Sequence, residues 1–216
     1  MKPHIILASA SIGRKTLLQK LGVPFSIQVS AVDEDKIVTK DPYKMLALRA
    51  RAKAEDVATK IIQLSNSQIN TNYPIEKNTR RYTLDANKRH AKTIVQALNG
   101  QTHDFVTGTT IIHLSSVIPG LTGNLTKKDP RFREDDKFVE INRWENISTT
   151  RVTCRQMTES EIERYTSRYN FRKFAAAYAL NETPWNWITK IDGSYTNVIG
   201  LPFEVVLPIF KDLKLI

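Results

Sequence analysis

Two serines and a basic pair follow the first apolar run of the sequence, Ile5 to Leu7. Ser9 and Ser11 can donate hydroxyl hydrogen bonds, and the guanidinium fork of Arg14 matches the oxygens of a phosphate. Backbone N–H groups at the start of a helix also attract phosphate. The segment from Ala8 to Lys15 therefore predicts a phosphate-binding turn between a strand and a helix. The competing interpretation is that these serines only cap the helix.

An acidic tripeptide and a row of basic residues come next. Residues 33–35 read Asp-Glu-Asp, and carboxylate and phosphate oxygens are the ligands that Mg²⁺ prefers. On composition alone, a solvated acidic loop is the better explanation of this tripeptide. Arg49, Arg51 and Lys53 lie at alternate positions, so in a helix they spread over more than one face. We expect most of these basic side chains to be exposed and one to point into a site.

A fourth candidate lies near the end of the chain, in the stretch from Ile191 to Pro202. It combines small, apolar and amide residues, and Asp192-Gly193 is typical of a tight turn. We interpret the stretch as a buried loop with specific backbone contacts.

The elements that must position these residues alternate between strand and helix patterns. Short β-branched or alternating runs predict strands at 5–7, 24–29, 105–114 and 149–156. Apolar residues at helical spacing predict helices at about 17–21, 41–64, 86–98, 158–168 and 203–213. Asp41 before Pro42, the capping box from Thr158 to Glu161, and Gly22 mark helix ends. This interleaving predicts an α/β fold.

Two segments, 65–82 and 119–136, interrupt the alternation. Both are polar and lack apolar periodicity, so we expect exposed loops or hairpin insertions that are mobile or packed on a partner. Without an internal repeat, residues 1–216 are interpreted as a single domain with these two variable segments.

The composition excludes several classes of protein. No run reaches the about 20 apolar residues of a membrane helix, so no membrane partner is expected. Cys154 is the single cysteine, which excludes an intrachain disulfide and favours the reducing cytoplasm. An organelle stays open as the location if a transit peptide has been removed. The net charge of +10 attracts polyanions, either nucleotide phosphates or nucleic acid, unless it is only a solvated surface.

Several blocks of the sequence stand in the order found in one known family. They lie at Ile5–Gly22, Val32–Glu34, Ala52–Ala54, Leu98–Gly108, Met157–Tyr165, Ala175–Tyr178 and Gly193–Pro202. The ordered set resembles the Maf family, also called septum formation inhibitor Maf. The resemblance implies a Maf/ITPase-like α/β fold in two lobes, with a mixed β-sheet, flanking helices and a central cleft.

The resemblance also implies a reaction and a set of residues. Maf proteins cut nucleoside triphosphates between the α and β phosphates with a divalent metal, Mg²⁺ or Mn²⁺. By this resemblance Glu34 would bind the metal or orient the attacking water, and Lys53 would stabilise charge on the phosphates. The substrate-binding residues that it implies are Ser9, Ser11, Arg14, Lys15 and Asn181.

Several positions depart from the family pattern. The Pro-Arg pair that precedes Arg14 in the family is Ile12-Gly13, so one phosphate-binding arginine is missing. Residues 61–82 contain no counterpart of the Ala-Asp-Thr segment and its catalytic aspartate, and 82–85 lack the lysine of a Gly-Lys-Pro segment. Asn181 stands where the family has glutamine.

Two functions therefore remain open. The first is a divergent, weak nucleotide pyrophosphatase, favoured by Ser9, Arg14, Glu34 and Lys53 in the family's order. The second is an inactive Maf-like pseudoenzyme that serves as a binding or assembly protein. The missing catalytic groups and the basic net charge favour it. The polyanionic partner of such a protein would be RNA or a ribonucleoprotein, and a homodimer is compatible with either function.

Overall fold

A computed structural model describes residues 4–65, 84–117, 137–168, 178, 180 and 185–216. The expectations for the two variable segments, apart from Ser65, and for Asn181 lie outside these residues. None of the helices in the described ranges carries an apolar stretch long enough to cross a bilayer.

The chain opens with a strand–helix–strand unit. Strand β1 (Ile5–Leu7) pairs in parallel with β2 (Phe25–Ile27), and helix α1 (Ile12–Lys20) connects them. A parallel pair needs such a crossover because its strands start at the same edge. Gly22 follows the helix with a φ of 68°, which confirms the predicted stop signal.

An antiparallel sheet forms the second β layer. Strand β3 (Thr102–Val117) pairs with β4 (Lys137–Cys154), with Thr102 opposite Thr153, and β4 also pairs with β5 (Ile188–Asp192). Both long strands extend beyond the predicted 105–114 and 149–156. Their extra length is stabilised by pairing between distant segments, which a local apolar pattern does not report.

Three of the longer helices begin or end close to the predicted positions. They are α2 (Pro42–Ser65), α3 (Leu84–Leu98) and α4 (Glu159–Arg168). The Asp41 carboxylate accepts the backbone N–H of Tyr43 at 2.8 Å, as expected of a helix N-cap. The capping box is also confirmed, since Glu161 accepts from the Thr158 N–H at 2.8 Å.

The predicted buried loop from Ile191 to Pro202 is wrong in its secondary structure. The stretch contains the end of β5 and a short helix, α5 (Tyr195–Ile199), before the last helix α6 (Phe203–Asp212). Burial of Asn197, Val198, Leu201 and Pro202 confirms that the stretch is buried in part. Five helical residues are too few to show a helical period in the sequence.

Two hydrophobic clusters divide the fold. The first packs Leu17 and Leu18 of α1 against Val206 and Phe210 of α6. The second packs α3 and α4 against the antiparallel sheet, with Val95 and Val152 fully buried. Helix α5 connects them, because Val198 belongs to the second cluster and Leu201 to the first. The α/β class is therefore confirmed, with parallel and antiparallel pairing in separate sheets.

Candidate functional site

The turn between β1 and α1 is built around two serine hydroxyls. Ser11 is the N-cap, and its oxygen lies 3.5 Å from the backbone nitrogen of Arg14, so the capping interpretation is correct for this serine. The buried Ser9 Oγ accepts the Ser11 N–H at 3.2 Å and the Arg14 Nη1–H at 3.3 Å. A hydroxyl has two acceptor positions and one hydrogen. Ser9 therefore keeps its hydrogen for a further acceptor such as a phosphate oxygen.

Arg14 is fixed from the other side by the segment that follows α5. Its Nε donates to the Gly200 carbonyl at 2.8 Å. Gly200 caps α5 with a φ of 112°, a left-handed conformation that glycine adopts without strain. A guanidinium carries five N–H groups, and the described contacts occupy two of them. The others can bind a bidentate anion.

Helix α5 is anchored to the antiparallel sheet by Asn197. This side chain is fully buried, and its amide donates to the Phe105 and Ser148 carbonyls and to Thr150 Oγ1, at 3.0 to 3.2 Å. Thr150 in turn accepts the Ser194 N–H at the start of the helix. The Gly200 carbonyl is thus held in place by the sheet.

Glu34 and Lys53 form a second pair of functional groups. Asp33 caps a single 3-10 turn, Glu34–Lys36, by accepting the Asp35 N–H at 3.2 Å. The turn aims Glu34 at α2, where Lys53 Nζ lies 2.7 Å from its Oε1. The Lys53 side chain is 22% exposed and that of Glu34 is 44% exposed, so the pair lies at the surface edge of the fold.

The two groups lie close enough for their charges to interact. Burial lowers the pKa of Arg14 from its ordinary value, and the Glu34 carboxylate opposes that shift. Ser9, Arg14, Glu34 and Lys53 come from three separate segments, and the fold brings them together. The arrangement can bind an anion through Ser9, Arg14 and Lys53 and offer one carboxylate beside it.

The carboxylates near Lys53 would hold a metal only if a bound substrate supplied further ligands. Across the ranges that the structure describes, no group of three His, Cys, Asp or Glu residues could hold a metal ion. Residues 33–35 do not form such a group, and Asp33 Oδ1 instead accepts the Asp35 N–H that caps the turn. Mg²⁺ usually takes one or two carboxylates and completes its shell with water and substrate phosphates. Glu34 fits that role.

Lys15 and the basic residues of α2 have different outcomes. Lys15 is exposed, and the described hydrogen bonds that join Ser9, Ser11 and Arg14 leave it out. The basic residues of α2 do spread over several faces: Arg51 pairs with Glu145 at 2.7 Å, away from Lys53.

Gly13 occupies the position of the missing family arginine. A Cβ built there would lie 2.8 Å from the Ile199 carbonyl oxygen and 3.0 Å from Ile199 Cγ2. Real Cβ contacts are essentially never below 3.0 Å. The α5 end therefore occupies the space that a larger residue at position 13 would need.

The sequence did not identify the Gly200 carbonyl or the Asn197 amide as parts of the site. Both belong to the stretch from Ile191 to Pro202, for which the sequence did predict specific backbone contacts. The partner could not be identified, because Arg14 lies 186 residues away in the chain.

Comparison with known proteins gives the family. A family model described as Maf-like protein matches residues 4–213. The chain is 30% identical over 220 residues to the dTTP/UTP pyrophosphatase of Treponema denticola, covering 96% of each. It is 32% identical over 204 residues to that of Alkaliphilus metalliredigens, covering 92% of this chain and 90% of the relative. It is 29% identical over 215 residues to the nucleoside triphosphate pyrophosphatase of Trichodesmium erythraeum, covering 97% and 92%. With a family match from residue 4 to residue 213 and relatives at 30% and 32% identity over nearly the whole length, this chain belongs to the Maf-like protein family.

Proposed function

We propose that this chain is a metal-dependent nucleoside triphosphate pyrophosphatase that releases a nucleoside monophosphate and pyrophosphate. The observation that carries the proposal is the convergence of Ser9, Arg14, Glu34 and Lys53 from three segments. The names of the relatives, which are dTTP/UTP or nucleoside triphosphate pyrophosphatases, support it.

Phosphate binding is assigned to the β1–α1 turn. The Ser9 hydroxyl hydrogen and the remaining N–H groups of Arg14 donate to phosphate oxygens. Both donors are already oriented by Gly200 and by the turn itself, so little reorganisation accompanies binding. Preorganised donors of this kind stabilise charge more effectively than water does.

The ion pair between Lys53 and Glu34 opens when the substrate binds. The ammonium that now holds Glu34 at 2.7 Å turns to the more highly charged triphosphate and stabilises the charge that develops on the leaving pyrophosphate. Glu34 is then free to orient the attacking water, or it would hold a divalent metal. A Mg²⁺ or Mn²⁺ ion bound there would neutralise phosphate charge and polarise the phosphorus–oxygen bonds.

The rate is expected to be low. The aspartate of the family's Ala-Asp-Thr segment has no counterpart in residues 61–82. Loss of one electrostatic catalytic group costs about 2.7–4 kcal/mol, which is roughly a hundredfold to a thousandfold in rate. A binding protein without turnover is therefore the second candidate function. The Ile199 carbonyl beside Gly13 favours it, because it fills the space of a further phosphate-binding arginine.

The test is pyrophosphate release from a panel of nucleoside triphosphates, with Mg²⁺ and with Mn²⁺. The panel begins with dTTP and UTP, which the relatives' names suggest. We expect slow, metal-dependent release that Glu34→Gln and Arg14→Ala each reduce at least tenfold. The matched controls are Glu163→Gln and Arg151→Ala, which remove an exposed carboxylate and an exposed guanidinium elsewhere.

Calorimetry on the same samples separates the two functions. Triphosphate binding that depends on Arg14, without release by any metal, would establish the binding protein and refute the pyrophosphatase. Release that survives Glu34→Gln at full rate would show that another carboxylate acts on the water.

A further inference from the structure

The segment that carries Glu34 has little structure of its own. Residues 31–37 contain one 3-10 turn, and their larger apolar side chains, Val32 and Ile37, are only half-buried. Apolar packing therefore holds the segment weakly, and a side chain on such a segment ordinarily samples several orientations. Something else must hold Glu34 opposite Lys53.

Helix α2 holds the segment at both ends. At the first end, the Ala31 N–H donates to Asp56 Oδ2 at 2.9 Å. At the other end, Arg49 Nε donates to the Ile37 carbonyl at 3.2 Å. Arg49, Lys53 and Asp56 are spaced by four and three residues, so they share one face of the helix.

The contacts also run in a consistent order. Along α2, Arg49, Lys53 and Asp56 meet residues 37, 34 and 31 in turn. The segment therefore lies antiparallel to the helix, and the two backbone contacts flank the Glu34–Lys53 pair.

Asp56 is ionised in this position. Burial raises the pKa of its carboxyl, but hydrogen bonds from Lys60, Ala31 and Ser30 outweigh burial and leave the pKa below its ordinary value. Lys60 lies 2.7 Å from the same oxygen and one helical turn away. A charged acceptor forms a stronger hydrogen bond to the Ala31 N–H than a neutral one would.

We propose that Arg49 and Asp56 are positioning residues, which dock residues 31–37 on α2 so that Glu34 faces the bound metal and phosphates. The proposal rests on the function proposed above. Neither residue touches the substrate, and both act through the backbone on either side of Glu34. Their loss leaves the phosphate-binding turn of Ser9 and Arg14 intact.

The test compares Asp56→Ala with Asp56→Asn, whose amide oxygen can still accept the Ala31 N–H. Lys60→Met is the matched control, because it removes the neighbouring ion pair and leaves that hydrogen bond in place. For Asp56→Ala we expect about a tenfold rise in the metal concentration for half-maximal rate and about a tenfold fall in kcat. The KM for the triphosphate should stay within about twofold. Asp56→Asn should recover most of the loss, and Lys60→Met should resemble the wild type.

Hydrogen exchange of the Ala31 amide provides a readout that does not need activity. Asp56→Ala should accelerate this exchange, while Lys60→Met should not. If the wild type releases no pyrophosphate, the proposed function fails, and the exchange rate alone decides the docking. Unchanged exchange in Asp56→Ala overturns the docking, and so does an equal loss of activity in all three variants. If Asp56→Ala does not fold, Arg49→Met tests the other end, through exchange of the amides of residues 34–37 and the same kinetic split.

Discussion

Replacing Gly13 by alanine tests how tightly the end of α5 is packed on α1. The added methyl group would lie 2.8 Å from the Ile199 carbonyl oxygen, which cannot rotate away as a side chain could. Either α1 or the α5 end must shift. The Gly200 carbonyl, which accepts from Arg14 at 2.8 Å, is attached to the next residue and must move as well.

Two opposing contributions determine how much Gly13→Ala changes the free energy of unfolding. Alanine is more favourable than glycine in a helix by up to about 1 kcal/mol. Overpacking of a filled site costs about 1–3 kcal/mol. We therefore expect Gly13→Ala to lower the free energy of unfolding by about 0–2 kcal/mol. Loss of the aligned Arg14 donor should weaken triphosphate binding by about tenfold to a hundredfold, since a hydrogen bond to a charged group contributes about 1.5–3 kcal/mol.

Urea unfolding and titration calorimetry measure the two effects on one preparation. The matched control is Gln19→Ala, at an exposed position of the same helix, which should leave both quantities near the wild-type values. Gly13→Arg, which introduces the arginine that the family resemblance places here, should weaken binding rather than strengthen it. A stabilised Gly13→Ala protein with unchanged affinity would show instead that α5 yields without disturbing Arg14.

Three further changes follow from the described contacts. Asn197→Ala removes two buried amide N–H donors, which three acceptors share, and should destabilise the protein by about 2–3 kcal/mol in urea unfolding. Arg155 and the Thr158 N–H lower the pKa of Glu161 to about 2, so its stabilising contribution is complete above about pH 4.5 and lost as the pH falls towards 2. Glu161→Gln should therefore lower the melting temperature at pH 7 and change it little at pH 2. Burial raises the pKa of the Cys154 thiol to about 11, so a thiol reagent at pH 7 should react with it only after denaturation.

Local signals in the sequence predicted most of the helices, and the helix caps among them, because a cap and its helix are adjacent in sequence. The candidate site residues Ser9, Arg14, Glu34 and Lys53 came instead from the order of the motifs, which resembles that of the Maf family. Each motif taken alone fits a helix cap or an exposed loop as well, so their role as a site stays a prediction.

The parts that were missed depend on contacts between distant segments. The Gly200 carbonyl acts on Arg14 through the backbone, which no side-chain pattern reports. Asp56 has the appearance of an ordinary helix-surface carboxylate until the Ala31 N–H is placed beside it. Strand β5 exists because β4 offers it an edge, and β-pairing of this kind depends on the neighbouring strand more than on intrinsic preference.

A pyrophosphatase site at Ser9, Arg14, Glu34 and Lys53 cuts a triphosphate between its α and β phosphates. The ³¹P spectrum of UTP incubated with the protein and Mg²⁺ or Mn²⁺ identifies the bond that is cut. We predict that UMP and pyrophosphate appear in equal amounts, with both signals reduced at least tenfold in Glu34→Gln. Formation of UDP and orthophosphate, or a triphosphate that stays intact with both metals, would contradict the claim.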